Sequence, residues 1–594
     1  MNCSFLSNCR FSQLVNVFVI TLLILAGTLT LSKNSTDPDL WGHVRYGMDA
    51  LQHGLPTANT YSYTATGHPW INHEVLSEYA MALAVSQWGP RSLLLAKCLL
   101  GLSILACIVH RAERTGVRQA TLFLITLAVG LNLMHFWSIR PQIFSYVFFT
   151  LMVYLLDRAF RGWEGSWRLP RPVSWQAGTE MPAVPSWKQL SCLLLLPLLF
   201  FIWANTHGAF VAGWCLMVAY LGCRGIELLT CRHRAAIPQV AFLALIVLAS
   251  ASITMLNPYG VHLHTWLLQS LGSPRPEIVE WRPPELFSTI WLPFWALAAV
   301  AVLAIVAHLR KTDFTHAVLL ALTLWQAIDH RRHIPFFAIL CGYWLAPQLQ
   351  RLFNRWQHRD HATTTETHLA PAFRPVLLMG LLVSITLVSS GLLGQLRMIS
   401  VRKDCYPVSA FQYMADRQLR GNLVLRFSWA QYAIATFGDE QDPSSTRVAF
   451  DGRFRTCYPQ PIVDMYFDFA LGEFESNLRH RQTPADAIDG GRILEFRSPD
   501  LCLIDRNQGN MVDELTARQN TWSLLYRDEL AELWGRSAKY DVADSPDYLP
   551  PAHRSISDEP QTGAVAWPAF PAHHRIHLSR RGQPQHANNP PRKS

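Results

Sequence analysis

The sequence is poor in charged residues. Asp, Glu, Lys and Arg make up 16% of its 594 residues, whereas about a quarter is usual in soluble globular proteins. Hydrophobic residues reach 50%, and there are 21 tryptophans, a residue type that favours membrane–water interfaces. We therefore expect an integral membrane protein rather than a string of soluble domains.

Metal-finger and redox cysteine motifs are also missing. None of the twelve cysteines has CxxC or zinc-ligand spacing, which excludes zinc ribbons and thioredoxin-like redox motifs. Cys405, Cys457 and Cys502 lie in the polar C-terminal part and could form one disulfide, with the pairing left open. The net charge of +9 comes from basic residues spread through short loops, so we expect no nucleic-acid partner.

Long apolar runs dominate the first two thirds of the chain. A helix needs about 20 apolar residues to cross the hydrocarbon core. The sequence predicts about eleven such spans, near residues 14–32, 91–110, 120–138, 142–157, 189–205, 209–230, 237–256, 288–308, 314–329, 334–350 and 375–395. The first run is long for a signal peptide and lacks an A-x-A cleavage site, so it is expected to remain as a span.

The charge of the loops predicts the orientation. With a cytoplasmic N-terminus, the inner loops hold eighteen basic residues and the outer loops eight, as the positive-inside rule requires. No polar chain runs through the spans, which favours chemistry at the outer face over transport.

Three regions follow from this topology. Residues 1–395 form an all-α transmembrane domain with long outer loops at 33–90 and 257–287. Residues 396–540 alternate strand-like and helical segments, which predicts a small extracytoplasmic α/β domain. Residues 541–594 are rich in Pro, His, Arg and Ser, which predicts a disordered tail.

The first outer loop opens with a group of polar residues, Asp37, Asp39 and His43. Carboxylates near an imidazole suit a divalent metal or a general base. The alternative is an Asp N-cap for a helix that begins near Leu40, and the two interpretations are compatible.

Further polar residues are expected on the same outer side. His73 and Glu74 lie later in the same loop, where the alternative for Glu74 is a helix-start carboxylate favoured by the helix dipole. Arg140, His207 and the run Arg331–His333 lie between later spans. Arginine forks pair well with phosphate, although an arginine at this depth can also be a snorkelling anchor.

Seven segments together resemble a family. They are TDPDLWGHVRYGMDALQHGLPTANTYSYTATGHPWINHEVLSE, SIRPQIFSYVFF, WANTHGAFVAGW, LNPYGVHL, IVEWRPP, DHRRHIPFFA and AFDGRFRTCYP. Their order and spacing resemble a bacterial group of multi-span proteins related to glycosyltransferase superfamily C, which includes protein O-mannosyltransferases and lipid A aminoarabinose transferases. The resemblance covers residues 36–536.

This resemblance implies a function and a location. We expect a glycosyltransferase in the bacterial cytoplasmic membrane, with the C-terminal domain outside. It would transfer a sugar from a polyprenyl-phosphate or -diphosphate carrier to an acceptor in the cell envelope. The alternative is a non-catalytic relative that binds polyprenyl lipids or takes part in envelope assembly.

The resemblance also implies roles for site residues. The catalytic carboxylate would be Asp39 or Asp37, with Asp39 preferred, and Glu74 is the second acidic position. Arginines would hold the donor phosphate, and a divalent ion (Mg, Mn or Zn) could take carboxylate and imidazole ligands. The phosphate-binding set is Arg331, Arg332 and Arg140, and the metal-binding set is Asp37, Asp39, His43 and His73.

One position departs from the family pattern. Relatives commonly carry a second aromatic residue after Trp41, where this chain has Gly42. We expect the change to widen the site without abolishing it. In the later DGR segment, Asp451 and Arg453 are expected to form a structural salt bridge rather than contact a substrate.

Overall fold

The computed structural model describes residues 3–163, 185–272, 274–309, 312–357, 373–439, 442, 444–473, 478–481 and 487–572. The chain is mostly helical and divides into two compact units. The first unit comprises Met1–Asn34, Ile71–Glu78 and Leu93–Met398. The second comprises Ser35–Trp70, Tyr79–Ser92 and Ile399–Ser594.

Mostly apolar helices, together with the amphipathic α15, build the first unit. They are α1 (Cys3–Leu31), α4 (Arg91–Glu113), α5 (Gln119–Leu133), α6 (Gln142–Ala159), α7 (Trp187–Leu190), α8 (Leu195–Ala204), α9 (Phe210–Arg232), α10 (Ile237–Ile253), α11 (Val261–Leu271), α12 (Leu292–Ala307), α13 (Phe314–Asp329), α14 (Ile334–Trp344), α15 (Ala346–Gln357) and α16 (Arg374–Gln395). Two further helices, α2 (Leu40–His53) and α3 (Val75–Trp88), follow α1 in the chain.

Six helical stretches in the described part of the chain are long and apolar enough to cross a membrane. They are Gln13–Leu31, Arg91–Glu113, Gln119–Phe136, Trp187–Ala204, Phe210–Ile253 and Arg374–Gln395. The helices Leu292–Ala307 and Phe314–Asp329 are apolar but shorter. A helix lies within each of the eleven predicted runs, while the number of spans stays a prediction.

Helix α14 lies at the centre of the first unit, because every one of its residues is buried. A Cβ on Gly342 would lie 2.7 Å from Ile108 Cδ1 and 3.0 Å from Val129 Cγ2. The absence of a side chain at Gly342 therefore lets α14 pack closely on α4 and α5, as small residues commonly do between membrane helices.

The second unit contains a six-stranded mixed sheet in the order β3-β2-β4-β6-β5-β7. Strands β2 and β4 are parallel, with Val424 opposite Cys502, and β4 and β6 are antiparallel, with Leu503 opposite Leu533. The strands are β1 (Ser400–Arg402), β2 (Asn422–Leu425), β3 (Arg447–Val448), β4 (Leu501–Asp505), β5 (Trp522–Arg527), β6 (Ala531–Arg536), β7 (Ser555–Ile556) and β8 (Ala564–Ala566). The helices are α17 (Val408–Asp416), α18 (Phe427–Phe437), α19 (Gln460–Leu471), α20 (Arg492–Glu495), α21 (Gly509–Thr516) and α22 (Ser537–Tyr540).

The loop that follows α1 belongs to the second unit. The Thr36 backbone N–H donates to Ser400 O at 3.0 Å. Trp41 stacks on Tyr432 with ring centroids 4.5 Å apart, and its indole N–H donates to Pro568 O at 2.9 Å. Aromatic burial of this kind contributes strongly to packing. Ser35–Trp70 therefore groups with residues from 399 onwards, rather than with residues 1–395 as the predicted boundaries placed it.

Residues 541–572 contain ordered structure, whereas composition predicted disorder from 541. Strand β7 pairs with β5, and β8 pairs with β1. Leu549 and Trp567 are buried, so this segment has apolar side chains to bury despite its many prolines. Residues 573–594 of the predicted tail lie outside the described residues.

The three cysteines of the C-terminal part, all within the described residues, form no disulfide. Cys405, Cys457 and Cys502 are all free thiols. Burial raises the pKa of Cys457 and Cys502 above the ordinary thiol range, so both stay protonated at neutral pH.

Candidate functional site

A cavity of about 1020 Å³ lies within the first unit. Its wall comes from α6, α9, α11 and α13 and from loop residues at 207–209, 272, 274–276, 281–283 and 330–333. The residues that line the cavity include Ser145, His207, Arg275, Trp281, Arg282 and Arg332.

Three arginines give one part of this cavity its charge. Arg332 packs over the Trp281 ring, with its Cζ 4.4 Å from the ring centroid, and Arg275 packs on the same ring at 5.0 Å. The Arg282 Nε–H donates to Pro276 O at 2.9 Å. Among the described residues that line the cavity, none is an aspartate or a glutamate. The lining therefore carries a concentrated positive charge.

The histidine next to Arg332 adds no charge. Burial lowers the pKa of His333 to about 3, and the charge of Arg332 adds to this effect. The His333 imidazole is therefore neutral at physiological pH, and the charge of this stretch comes from arginine.

The part of the wall that α9 forms is apolar. Helix α9 contributes Val211, Ala212, Cys215, Leu216 and Ala219 to the lining, which share one helix face and extend over about 12 Å at 1.5 Å per residue. The arginines lie in loops, whereas these residues lie within a helix. The cavity thus joins a cationic part to an apolar part.

Two of the three arginines predicted to bind phosphate form ion pairs. Arg331 Nη2 lies 2.5 Å from Glu285 Oε1, and the Arg331 Nε–H donates to Pro283 O at 3.2 Å. Arg140 Nη1 lies 3.2 Å from Glu280 Oε1. Both pairs hold the 280–285 loop. Of the predicted set, Arg332 is the one among the described lining residues of the cavity.

Glu74 is connected to the cavity through His207. Glu74 Oε1 lies 3.7 Å from His207 Nε2. The Ala209 backbone N–H donates to His207 Nδ1 at 3.3 Å, and Ser145 Oγ lies 2.8 Å from the same nitrogen. The Trp203 indole N–H donates to Ser145 Oγ at 2.8 Å.

These contacts assign the imidazole tautomer. His207 Nδ1 accepts from the Ala209 backbone, so its proton is on Nε2, the atom that faces Glu74. The Ser145 hydroxyl then donates to His207 Nδ1. A hydrogen-bonded series therefore leads from the cavity wall at Ser145 through His207 towards the Glu74 carboxylate.

His73 belongs to the same wall. Its ring lies 5.2 Å from the Trp266 ring centroid. A Cβ on Gly208 would lie 3.0 Å from His73 Cδ2, so the glycine allows this close packing. His73 Nε2 also lies 3.9 Å from Glu74 Oε1.

Asp37, Asp39 and His43 lie in the second unit, at the start of α2. Asp39 occupies the N-cap position, but its side chain makes no capping hydrogen bond and its backbone is in the αR region rather than the usual extended one. Instead, the Asp37 Oδ1 atom accepts the backbone N–H of Asp39 at 3.0 Å. Helix capping therefore does not account for the Asp39 carboxylate.

The DGR turn packs directly against Asp39. A Cβ on Gly452 would overlap Asp39 Oδ1 and would lie 3.0 Å from Gln431 Nε2. A Cβ on Gly42 would overlap Gln431 Oε1. Gln431 is 3% exposed. Its side chain therefore lies between the two glycines and fills the space beside Gly42, which the sequence predicted to be wider.

An aromatic cage fixes the DGR turn. The Arg453 Cζ lies 4.6 Å from the ring centroid of Trp70, 4.9 Å from that of Tyr46 and 5.2 Å from that of Tyr61. Arg453 Nη2 lies 2.7 Å from Asp451 Oδ2, and both residues are buried. The Asp451–Arg453 pair has the form of the structural salt bridge that was expected.

The same pair determines the charge state of Asp451. Burial alone would raise the pKa of Asp451, but the Arg453 charge and its hydrogen bonds outweigh burial and lower it. Asp451 is therefore ionised at neutral pH and makes a charge-assisted contact with Arg453.

We predict that Gly42→Ala destabilises the second unit by about 1–3 kcal/mol, because the added methyl group overlaps Gln431 in a packed interior. Thermal unfolding of the purified chain measures the effect. In the double variant Gly42→Ala/Gln431→Ala the overlap is removed, so part of the loss should be recovered. Gly509→Ala is the matched control, since nothing lies within 4 Å of its added Cβ. Equal melting of Gly42→Ala and Gly509→Ala would contradict this packing.

Sequence reasoning did not single out Arg275, Arg282 or Gln431 as site residues. The first two were counted only as basic residues of the second outer loop. That loop is longer than a connection needs, which was the available signal. Gln431 had no such signal, because its position depends on tertiary packing.

Solved structures with a similar fold identify the architecture. The oligosaccharyltransferase of Archaeoglobus fulgidus, solved with a tethered acceptor peptide that contains the NVT sequon, aligns at a TM-score of 0.50 and 11% identity. The alignment covers 83% of this chain and 69% of that chain. The chain shares the fold of this oligosaccharyltransferase. The resemblance found in the sequence motifs is thus confirmed at the level of fold.

Two bacterial proteins also align. ArnT from Cupriavidus metallidurans in the apo state aligns at a TM-score of 0.49 and 11% identity, over 91% of this chain and 99% of that chain. The arabinofuranosyltransferase AftD from Mycobacteria aligns at 0.41 and 14% identity, over 88% and 40%. No protein-family model matches the chain, and no curated protein matches its sequence.

Proposed function

We propose that this chain is an integral membrane glycosyltransferase. It transfers a sugar from a polyprenyl-phosphate or -diphosphate carrier to an acceptor in the cell envelope, at the outer leaflet of the bacterial cytoplasmic membrane. The observation that carries the proposal is the cavity of the first unit, with three arginines, no carboxylate among its described lining residues, and an apolar wall formed by α9. An anion with a long apolar tail matches both parts of that lining.

The fold supports the same function. The oligosaccharyltransferase that shares it is a glycosyl-transfer enzyme solved with an acceptor peptide. A shared fold alone does not determine chemistry, so the proposal rests on the cavity and on the acidic residues of the first loop.

The proposed reaction needs a base and a stabilised leaving group. Asp39 removes the proton from the acceptor hydroxyl, whose oxygen attacks the anomeric carbon of the sugar. The bond from that carbon to the carrier phosphate breaks with inversion. Arg332 stabilises the negative charge that develops on the departing phosphate.

The remaining acidic and basic residues have supporting roles in this proposal. Asp37 positions the backbone at Asp39, and Glu74 with His207 is the second acidic group. Arg331 and Arg140 hold the 280–285 loop through their ion pairs and so act on the donor phosphate indirectly.

A divalent ion fits the residue types of the first loop. Asp37, Asp39 and His43 offer carboxylate and imidazole ligands. A bound Mg, Mn or Zn ion would supply Lewis-acid stabilisation of the phosphate charge.

We predict that Arg332→Ala lowers transfer at limiting donor by about tenfold or more, because one charge-assisted contact to the leaving phosphate is lost. The assay uses membranes from cells that express the chain, incubated with polyprenyl-linked sugars labelled in the sugar. Label is then counted in the fraction that is insoluble in organic solvent.

Two control variants show whether the loss of transfer is specific to the Arg332 side chain. Arg332→Lys keeps the charge without the planar fork and should give an intermediate rate. Arg91→Ala removes an exposed arginine away from the lining and should leave transfer unchanged. If Arg332→Ala and Arg91→Ala transfer equally well, the donor-phosphate role of Arg332 is wrong.

A further inference from the structure

The described lining of the cavity has an excess of arginine over carboxylate side chains. Arg275, Arg282 and Arg332 all line it, and the described lining contains no carboxylate. Arg331 and Arg140 do not add to this excess, because Glu285 and Glu280 pair with them. Arg282 and Arg332 thus offer two positive charges to an anionic ligand, whereas a phosphodiester carries one negative charge.

Two of these arginines have donors available for an anion. In the described part of the chain, the Arg332 side chain makes no hydrogen bond and packs on the Trp281 ring. Arg282 uses its Nε–H on Pro276 O, which leaves its two terminal amino groups without a described partner. Each arginine therefore presents a separate set of N–H donors of the kind that binds one phosphate group.

The third arginine is held near Arg332. Arg275 packs on the same Trp281 ring as Arg332 and donates to Ser270 O at 2.5 Å. Arg282 directly follows Trp281 in the chain. The Trp281 indole thus holds Arg275 beside Arg332, and the described lining contains no carboxylate.

We propose that this cavity selects a carrier lipid that bears a diphosphate over one that bears a monophosphate. A sugar-linked monophosphate carries one negative charge and a sugar-linked diphosphate carries two. The second charge and its oxygens match the second arginine donor set. The inference rests on the proposed function, which leaves the number of carrier phosphates open.

Binding measured on the purified full chain in detergent tests this inference. Farnesyl diphosphate, farnesyl monophosphate, farnesol and inorganic diphosphate are titrated separately by calorimetry at one fixed salt concentration. We expect farnesyl diphosphate to bind about tenfold or more tightly than farnesyl monophosphate, which is the effect of one additional charge-assisted contact. Farnesol should bind weakly because it has no phosphate, and inorganic diphosphate should bind weakly because it has no apolar chain.

Substitutions at Arg282 and Arg332 test whether these two arginines cause the preference for the diphosphate. Arg282→Ala and Arg332→Ala should each reduce the ratio of the two affinities towards one, and Arg91→Ala should leave the ratio unchanged. Arg282→Lys and Arg332→Lys retain the charge but lose the fork, so they should reduce the ratio less. These variants keep the test usable if an alanine variant does not fold.

The outcomes separate this inference from the proposed function. Equal affinities for the two farnesyl phosphates, or tighter binding of the monophosphate, would overturn the diphosphate preference and leave the lipid site intact. Binding of neither farnesyl compound would overturn the lipid site itself. A tenfold preference that persists in both alanine variants would overturn the assignment to Arg282 and Arg332.

Discussion

Replacing Asp39 by asparagine is expected to lower sugar transfer by about 100-fold or more, the scale of a lost general base. Asparagine keeps the size of the side chain and the packing against Gly452, but it cannot accept the acceptor's proton. Transfer of label from a polyprenyl-linked sugar into membrane acceptors measures the effect. The amount of the variant in the membrane, measured by immunoblot, must match that of the wild type.

Asp37→Asn is the control for this prediction. The Asp37 Oδ1 atom accepts the Asp39 backbone N–H at 3.0 Å, and the oxygen of an asparagine can accept the same bond. We therefore expect a smaller loss than for Asp39→Asn. If Asp37→Asn shows the larger loss, the roles of the two residues are reversed. Unchanged transfer in both variants would exclude a catalytic role for this pair.

Arg453→Ala is expected to destabilise the second unit by about 3–5 kcal/mol, because it leaves the buried Asp451 charge without its partner. The variant also removes the cation from the cage formed by Tyr46, Tyr61 and Trp70. Hydrogen exchange resolved by peptide is the suitable measurement, since it reports on the second unit separately. Protection should fall in peptides that contain residues 40–70 and 447–458.

Two further variants test whether the loss of protection in Arg453→Ala comes from the unpaired Asp451 charge. Arg453→Met/Asp451→Asn removes both charges together and should recover part of the stability, because no unpaired buried ion remains. Arg402→Ala removes a surface partner of Asp404, both side chains being exposed, and should change protection little. Exchange in Arg453→Ala that equals exchange in Arg402→Ala would show that the cage does not hold the turn.

The helices could be predicted from sequence because membrane spanning imposes one strong local rule. Apolar runs such as 91–110 and 209–230 appear as the helices Arg91–Glu113 and Phe210–Arg232. The backbone in lipid must satisfy its own hydrogen bonds, so composition alone indicates helix. Whether a short helix crosses the membrane cannot be predicted as directly from its composition. Ile334–Trp344 is an example, and it is buried throughout its length.

The candidate site was less predictable because its contacts join distant parts of the chain. The sequence identified Asp39, Glu74 and Arg332 as individual residues from loop position and family resemblance. It could not show that Arg331 pairs with Glu285 whereas Arg332 lines the cavity. Two adjacent arginines cannot be told apart by sequence position, because their different contacts arise only from tertiary packing.

Packing against the second unit also lay beyond the sequence. Gly42 was recognised as a departure from relatives, but the partner that fills the space, Gln431, is almost 400 residues away in the chain. The disorder predicted from residue 541 used composition, which does not register that Trp567 is buried. Local patterns thus predict elements, whereas long-range burial determines which side chains meet.

One reconstitution experiment tests the central claim most directly. The purified chain is placed in vesicles with a polyprenyl-linked donor labelled in both sugar and lipid, together with extracted envelope acceptors. We predict that sugar moves to the acceptor and that one carrier phosphate or diphosphate is released for each sugar, in the wild type but not in Asp39→Asn. Lipid binding without any sugar transfer by the wild type, in the presence of each donor and acceptor extract, would contradict the account and favour a non-catalytic lipid-binding protein.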